Sequence, residues 1–181
     1  MGKRARAGFT LVEMMVAVSI IGVLTATAIP AFSGMVARSK TSEVSANLNS
    51  MFKLSSAYYL AERGSQGNSA PVIGYCSVDD GGPEPANAKP QKQKADFAKD
   101  PSFRALGFSL ADFTYFSYGL ASKTGVGTCA NGPNTPDLYT FFAHGDLDGD
   151  GRESTFELSA GSDPNNVLYH SRSFFIAQEI E

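Results

Sequence analysis

The sequence predicts an α+β protein: a long N-terminal helical stem packed, through its second half, on a C-terminal antiparallel β-sheet. Three observations carry that reading. Residues 9–32 form an apolar or small-residue run broken by one charge, Glu13. After Pro30, apolar residues continue at helical spacing to about Glu62. Beyond residue 106 the texture changes to short alternating, aromatic-rich runs separated by turn formers.

The apolar run is long enough to cross a bilayer as a helix, for which about 20 residues suffice. Lys3, Arg4 and Arg6 precede it with no acid among them, which favours retention of the leader on the cytoplasmic side. Glu13 is the anomaly. A carboxylate in an apolar helix costs roughly 2.5–3.5 kcal/mol at the bilayer centre, so intramembrane acids usually mark function. Near the helix start the helix dipole favours its negative charge. A cut between Gly8 and Phe9 makes Glu13 the fifth residue of the mature chain. An ordinary secretory signal cut after Ala28 is the competing reading, since Ala26-Thr27-Ala28 is an A-x-A triplet. Against it, Glu13 interrupts the apolar region and the helical pattern continues past the triplet.

The second half of the stem, 33–62, carries one stripe: Val44, Leu48, Met51, Ser55 and Tyr58, broadened by Phe52 and Tyr59. Lys40, Glu43, Asn47 and Lys53 fall on the wetter side. Pro30 lacks an amide donor and is expected to kink or loosen the helix locally. Residues 63–105 read as an irregular loop rich in Gly, Pro, Ala, Asn and Lys, with Asp79 to Gly82 as a turn and a helical turn or two within 91–99. The sheet, 106–181, draws strands from 113–120, 138–143 and 154–159, with a fourth from 166–169 or 173–177.

The chain of 181 residues has 15 basic and 18 acidic side chains, a formal charge of −3. Loss of Lys3, Arg4 and Arg6 leaves 12 against 18, or −6, which does not suit nucleic acid. Cys76 and Cys129 are too few and too far apart for a zinc site. In an exported domain a disulfide between them is the default, with two buried thiols as the alternative. His144 and His170 are the only histidines and no hydrolase, phosphate-loop or metalloprotease signature accompanies them. The expectation is not an enzyme.

One stretch has the spacing of a calcium loop. Asp146, Asp148 and Asp150 stand at positions 1, 3 and 5, Gly151 at the glycine turn, the Arg152 carbonyl next, and Glu157 at position 12. Its flanks read as strands rather than helices, and Glu153 stands where an apolar residue is expected. The alternative is a solvated hairpin turn, which already favours Asp and Gly. No cofactor is required, and Ca2+ is the one these residues admit.

Gly8-Phe9-Thr10-Leu11-Val12-Glu13, the apolar run and Pro30 together resemble the prepilin signature of type IV pilins and type II secretion pseudopilins. The resemblance implies cleavage by a prepilin peptidase after Gly8 and N-methylation of Phe9. It implies pairing of Glu13 with the N-terminal amine of a neighbouring subunit, and helical self-assembly in which Pro30 belongs to the assembling stem. Ala37-Arg38-Ser39-Lys40 and the D-x-D-G-D-G loop are similar to pilins of myxobacteria and their relatives. The implied architecture is the pilin fold: leader 1–8, polymerisation helix 9–32, and exported domain 33–181. The implied function is a structural subunit of a type IV pilus, a surface fibre for adhesion and twitching motility. The precursor then resides in the inner membrane and engages the pilus assembly machinery. Alternatives are a pseudopilin in a periplasmic pseudopilus of the type II secretion system, a branch in which calcium loops also occur, and a membrane-tethered exported binding module.

Overall fold

A computed structural model describes residues 8–63, 72–123 and 129–179. The leader, apart from Gly8, and the turn formers after Arg63 lie outside the described residues. Two compact units are present, one ending at Ala37 and one beginning at Arg38. That boundary lies five residues beyond the expected 32/33 division. The uncovered apolar surface continues past Phe32 through Met35, which is 71% exposed.

Helix α1 spans Leu11–Tyr59 and is continuous through Pro30. In its first part the apolar side chains from Leu11 to Val36 are exposed, and the stretch is long and apolar enough to cross a membrane. The hydroxyls there are satisfied within the helix. Ser19 donates to the Met15 carbonyl at 2.8 Å, Thr25 to Ile21 at 2.7 Å, Thr27 to Leu24 at 3.0 Å and Ser33 to Pro30 at 2.9 Å. Such back-bonding removes the polar groups that would otherwise be costly in an apolar medium.

From Arg38 onward α1 buries one stripe: Thr41, Val44, Leu48, Met51, Ser55 and Tyr59. The spacing is three or four residues throughout, as one helical face requires. The expected stripe ended on Tyr58. Tyr59 is the buried residue because it completes the i+4 step from Ser55, while Tyr58 is half-buried. The helix also stops three residues before the expected Glu62. Arg63 folds back, its guanidinium donating to the Tyr58 carbonyl at 3.2 Å and lying 4.4 Å from the Tyr58 ring centroid. A cation there satisfies the terminal carbonyls and complements the helix dipole. Glu62–Arg63 (β1) then pairs antiparallel with Val72–Ile73 (β2).

The main sheet is antiparallel, in the order β3-β4-β5-β6-β7, with β8 also on β6. Its strands are Gly81–Glu84 (β3), Ser117–Ser122 (β4), Tyr139–Gly145 (β5), Ser154–Ser162 (β6), Leu168–His170 (β7) and Phe175–Ala177 (β8). Both candidates for a fourth strand are used. β6 is nine residues long, so β7 pairs with its end at Ala160–Ser162 and β8 with its start at Thr155–Glu157. In β5 and β6 burial alternates strictly from Tyr139 to Gly145 and from Ser154 to Ala160. Phe141, Ala143, Phe156 and Leu158 are buried. β4 begins at Ser117 rather than Phe113, because Thr114 exchanges both backbone hydrogen bonds with Gln93 at 2.8 Å. That pairing holds residues 113–115 off the ladder. Gly119 is needed where it stands: its cross-strand partner Phe142 lies so close that a Cβ would fall 2.2 Å from the ring.

Polar ties join the helix stripe to the sheet. Asn47 donates to the Tyr118 hydroxyl at 2.8 Å, and that hydroxyl donates to Glu43 at 3.2 Å. Thr114 also donates to Glu43. Tyr59 donates to Asn166 at 2.7 Å. Burial pushes the hydroxyls of Tyr59, Tyr118 and Tyr139 above the usual tyrosine range.

Within the stretch 63–105, read as irregular, the described residues 72–105 hold more regular structure than their composition suggests. β3 is built from Gly-Gly-Pro-Glu, residues disfavoured in a central strand but admissible at a sheet edge. Helix α2, Pro101–Leu106, has Asp100 as N-cap, accepting from Ser102 at 2.8 Å and Phe103 at 3.3 Å, and ends on Gly107 at φ 71. Asp-Pro at the start and Gly at the end are the expected helix signals, but six residues are too few to show a period. Phe97, Phe103 and Phe108 form an aromatic cluster beneath it, with centroids 4.8 to 5.7 Å apart. A disulfide joins Cys76 to Cys129. It ties this region to the segment before β5, where the Ala130 and Asn131 amides donate to Gly74 and Tyr75.

Candidate functional site

Two places are candidates for functional chemistry: the start of α1 and the β5–β6 turn. At the first, Gly8, Phe9 and Thr10 precede the helix, and α1 begins at Leu11. Thr10 is the cap. Its hydroxyl accepts from the Glu13 amide at 3.3 Å, and its amide and hydroxyl both donate to Glu13 Oε2, at 2.9 and 2.6 Å. This reciprocal arrangement is a capping box, which satisfies otherwise orphaned amides at a helix start. Glu13 therefore has a local partner, which reduces the cost of an acid in an apolar helix. Both donors go to Oε2, and Oε1 has no partner among the described residues. Sequence reasoning missed Thr10, although T-x-x-E is a recognisable cap signal. Phe9 is 84% exposed, so the Gly8–Phe9 bond is accessible. Pro30 lies well inside α1, away from this cap.

The β5–β6 turn brings together three of the predicted ligands. Asp146, Asp148 and Asp150 each place a carboxylate oxygen within 4.8 Å of the others. Asp146 is buried, and the other two are exposed. Gly149 and Gly151, at φ 83 and 87, make the reversal. The carboxylates already accept backbone amides: Gly149 to Asp146 at 2.7 Å, Asp150 to Asp148 at 3.1 Å, and Arg152 to Asp150 at 2.7 Å. The Arg152 guanidinium lies 3.8 Å from Asp150. Glu157 is not brought to this cluster. It sits within β6, opposite Phe142 on one side and Phe175 on the other. A helix after the loop would return position 12 to the ion, whereas a strand carries it away. His144 bonds Thr155 across the strand pair at 3.1 Å.

The first site combines a capped helix start with a long, uncovered apolar helix. Residues 3–29 match the family model described as the prokaryotic N-terminal methylation motif. The type IV major pilin protein PilA of Myxococcus xanthus is 41% identical over 68 residues, covering 38% of this chain and 30% of that protein. The fimbrial protein EcpC of Eikenella corrodens is 51% identical over 41 residues, covering 23% and 27%. The type IV major alpha-pilin of Moraxella bovis is 46% identical over 44 residues, covering 24% and 28%. No solved structure matches. In its N-terminal part the chain is similar to these pilins. Its aligned part spans less than a third of the length of each of these relatives.

Proposed function

We propose that this chain is a structural subunit of a type IV pilus, polymerising through α1 into a surface fibre that serves adhesion and twitching motility. The observation that carries the reading is the exposed apolar first part of α1, which begins at a prepilin-type junction and bears one carboxylate. Apolar surface on that scale needs lipid before assembly and other copies after it. A prepilin peptidase cuts between Gly8 and Phe9 and N-methylates Phe9. The new amine of one copy then meets Glu13 of another, and the stems form the fibre core. In a low-dielectric core an unmatched charge is heavily penalised, so the pair selects register. The precursor sits in the inner membrane, and the assembly machinery draws the processed subunit from it. Glu13→Ala tests this. The variant should insert and lose its leader normally yet yield few or no sheared fibres; wild-type fibre yield would remove Glu13 from assembly.

A second reading concerns the turn. We infer that Asp146, Asp148 and Asp150 hold one Ca2+, an assignment supported by their convergence within 4.8 Å. Ca2+ takes six to eight oxygens, so the Arg152 carbonyl and waters would complete the shell. Without Glu157 the site belongs to the weak class of extracellular modules, about 10⁻⁴–10⁻³ M.

A further inference from the structure

In β5 and β6 the residues that alternate with the buried ones point to the second face of the sheet. One row there crosses four strands in register: Gly119 of β4, Phe142 of β5, Glu157 of β6 and Phe175 of β8. Directly opposed residues of an antiparallel pair share a face, with Cβ atoms about 4.5–5.5 Å apart. Glu157 therefore stands between two phenylalanines. Phe142 leans away from it, its ring lying over Gly119, and this leaves the space above the carboxylate open toward Phe175. Phe175 is 61% exposed and Glu157 is half-buried.

Glu157 has no ion pair among the described residues. A lone carboxylate between aromatic rings is complementary to a cation, because ring faces attract cations as well. The kind of cation follows from what the row lacks. An ammonium brings three N–H donors and a guanidinium five. Besides the one carboxylate, the row offers them only phenyl carbon, and a donor left unmet is costly. A quaternary ammonium has no donor to leave unmet.

A second pole lies beside the first. His144 is on the same face, diagonal to Glu157 and so about 7–8 Å away. Its ring centroid is 5.2 Å from that of Phe142, and its Nδ1 meets the Thr155 hydroxyl at 3.1 Å. With that hydroxyl donating to Nδ1, the imidazole N–H is on Nε2, which has no partner among the described residues. The face thus sets an unpaired carboxylate and a free N–H donor next to one phenyl ring.

We propose that this row binds phosphocholine. The trimethylammonium settles between Phe142 and Phe175 with Glu157 as its counter-ion, and His144 donates from Nε2 to a phosphate oxygen. The partner is a surface that displays phosphocholine groups. The site lies wholly within the unit that begins at Arg38 and does not rest on the fibre reading.

The test is a titration of soluble phosphocholine against the full chain in maltoside detergent, read by saturation transfer to the ligand's methyl protons. Phosphocholine should bind saturably. Choline, which lacks the phosphate, and phosphoethanolamine, which has N–H groups in place of the methyls, should each bind about tenfold more weakly, the scale of one charge-assisted hydrogen bond lost or one donor left unmet. Glu157→Gln should weaken phosphocholine and choline alike by about tenfold or more. His144→Leu should reduce phosphocholine to the affinity of choline and leave choline unchanged. Neither side chain is buried, so the Tm of both variants should match the wild type. The ligand series on the wild type decides the matter even if a variant folds poorly. No saturable phosphocholine signal, or wild-type affinity in Glu157→Gln, would overturn the site. Equal binding of phosphoethanolamine would overturn the quaternary ammonium, and equal binding of choline would overturn the phosphate contact and with it phosphocholine as the ligand.

Discussion

At the scale of single residues, the sharpest signals are polar groups in apolar places. Ser55 is fully buried in the α1 stripe and its hydroxyl has no partner among the described residues. An unsatisfied buried hydroxyl costs about 1–3 kcal/mol, so Ser55→Ala should stabilise the chain. The gain should appear as a rise of a few degrees in the Tm of the detergent-solubilised protein, roughly 2–4 °C per kcal/mol at this size. An unchanged or lower Tm would mean the hydroxyl has a partner after all. Glu13 was legible from sequence because one charge in an apolar run stands out. Its partner Thr10 is harder to read, because the bond is a local cap, whereas a lone acid in an apolar run points to a partner on another copy. Tyr58 and Tyr59 are alike in sequence, and only the i+4 step from Ser55 decides that Tyr59 joins the buried stripe.

Among elements, legibility followed length and period. The long stem could be read from composition alone, and β5 and β6 from their alternation. β3 and α2 could not, since four and six residues carry no period and Gly-Gly-Pro-Glu reads as a turn. The disulfide followed from cysteine count and export, and it ties the segment before β3 to the segment before β5. The β5–β6 turn was legible as a calcium-loop spacing but not as a geometry, because β6 carries Glu157 away from the aspartates. A cation bound by the folded turn would stabilise the protein by RT ln(1 + [L]/Kd). The Tm should therefore be higher in millimolar Ca2+ than in chelator at fixed ionic strength, with Mg2+ doing less because it demands tighter octahedral geometry. Asp148→Ala with Asp150→Ala should abolish the difference. Equal melting of the wild type in Ca2+ and chelator would leave the sequence a turn and nothing more.

The whole molecule also has a pH signature. The hydroxyls of Tyr118, Tyr139 and Tyr59 all ionise less readily in the folded state, because burial penalises the phenolate. The unfolded chain ionises its tyrosines near 10. Their contribution is thus complete below about pH 10 and is lost as pH rises, since the unfolded state then binds fewer protons. Denaturant midpoints should be level through neutral pH and fall above about pH 10. Tyr118→Phe should flatten that fall, whatever its cost at neutral pH from leaving Asn47 without its acceptor. A fall of unchanged steepness would mean the Tyr118 proton is not held by the fold.

The central claim is that the chain is a processed subunit of a fibre, and one measurement bears on it directly: the N-terminal peptide of this chain in fibres sheared from the cell surface, read by mass spectrometry. The account predicts a peptide that begins at Phe9 and carries one N-methyl group. A peptide that begins at Met1 or at Ile29, or the absence of this chain from the sheared material, would contradict it.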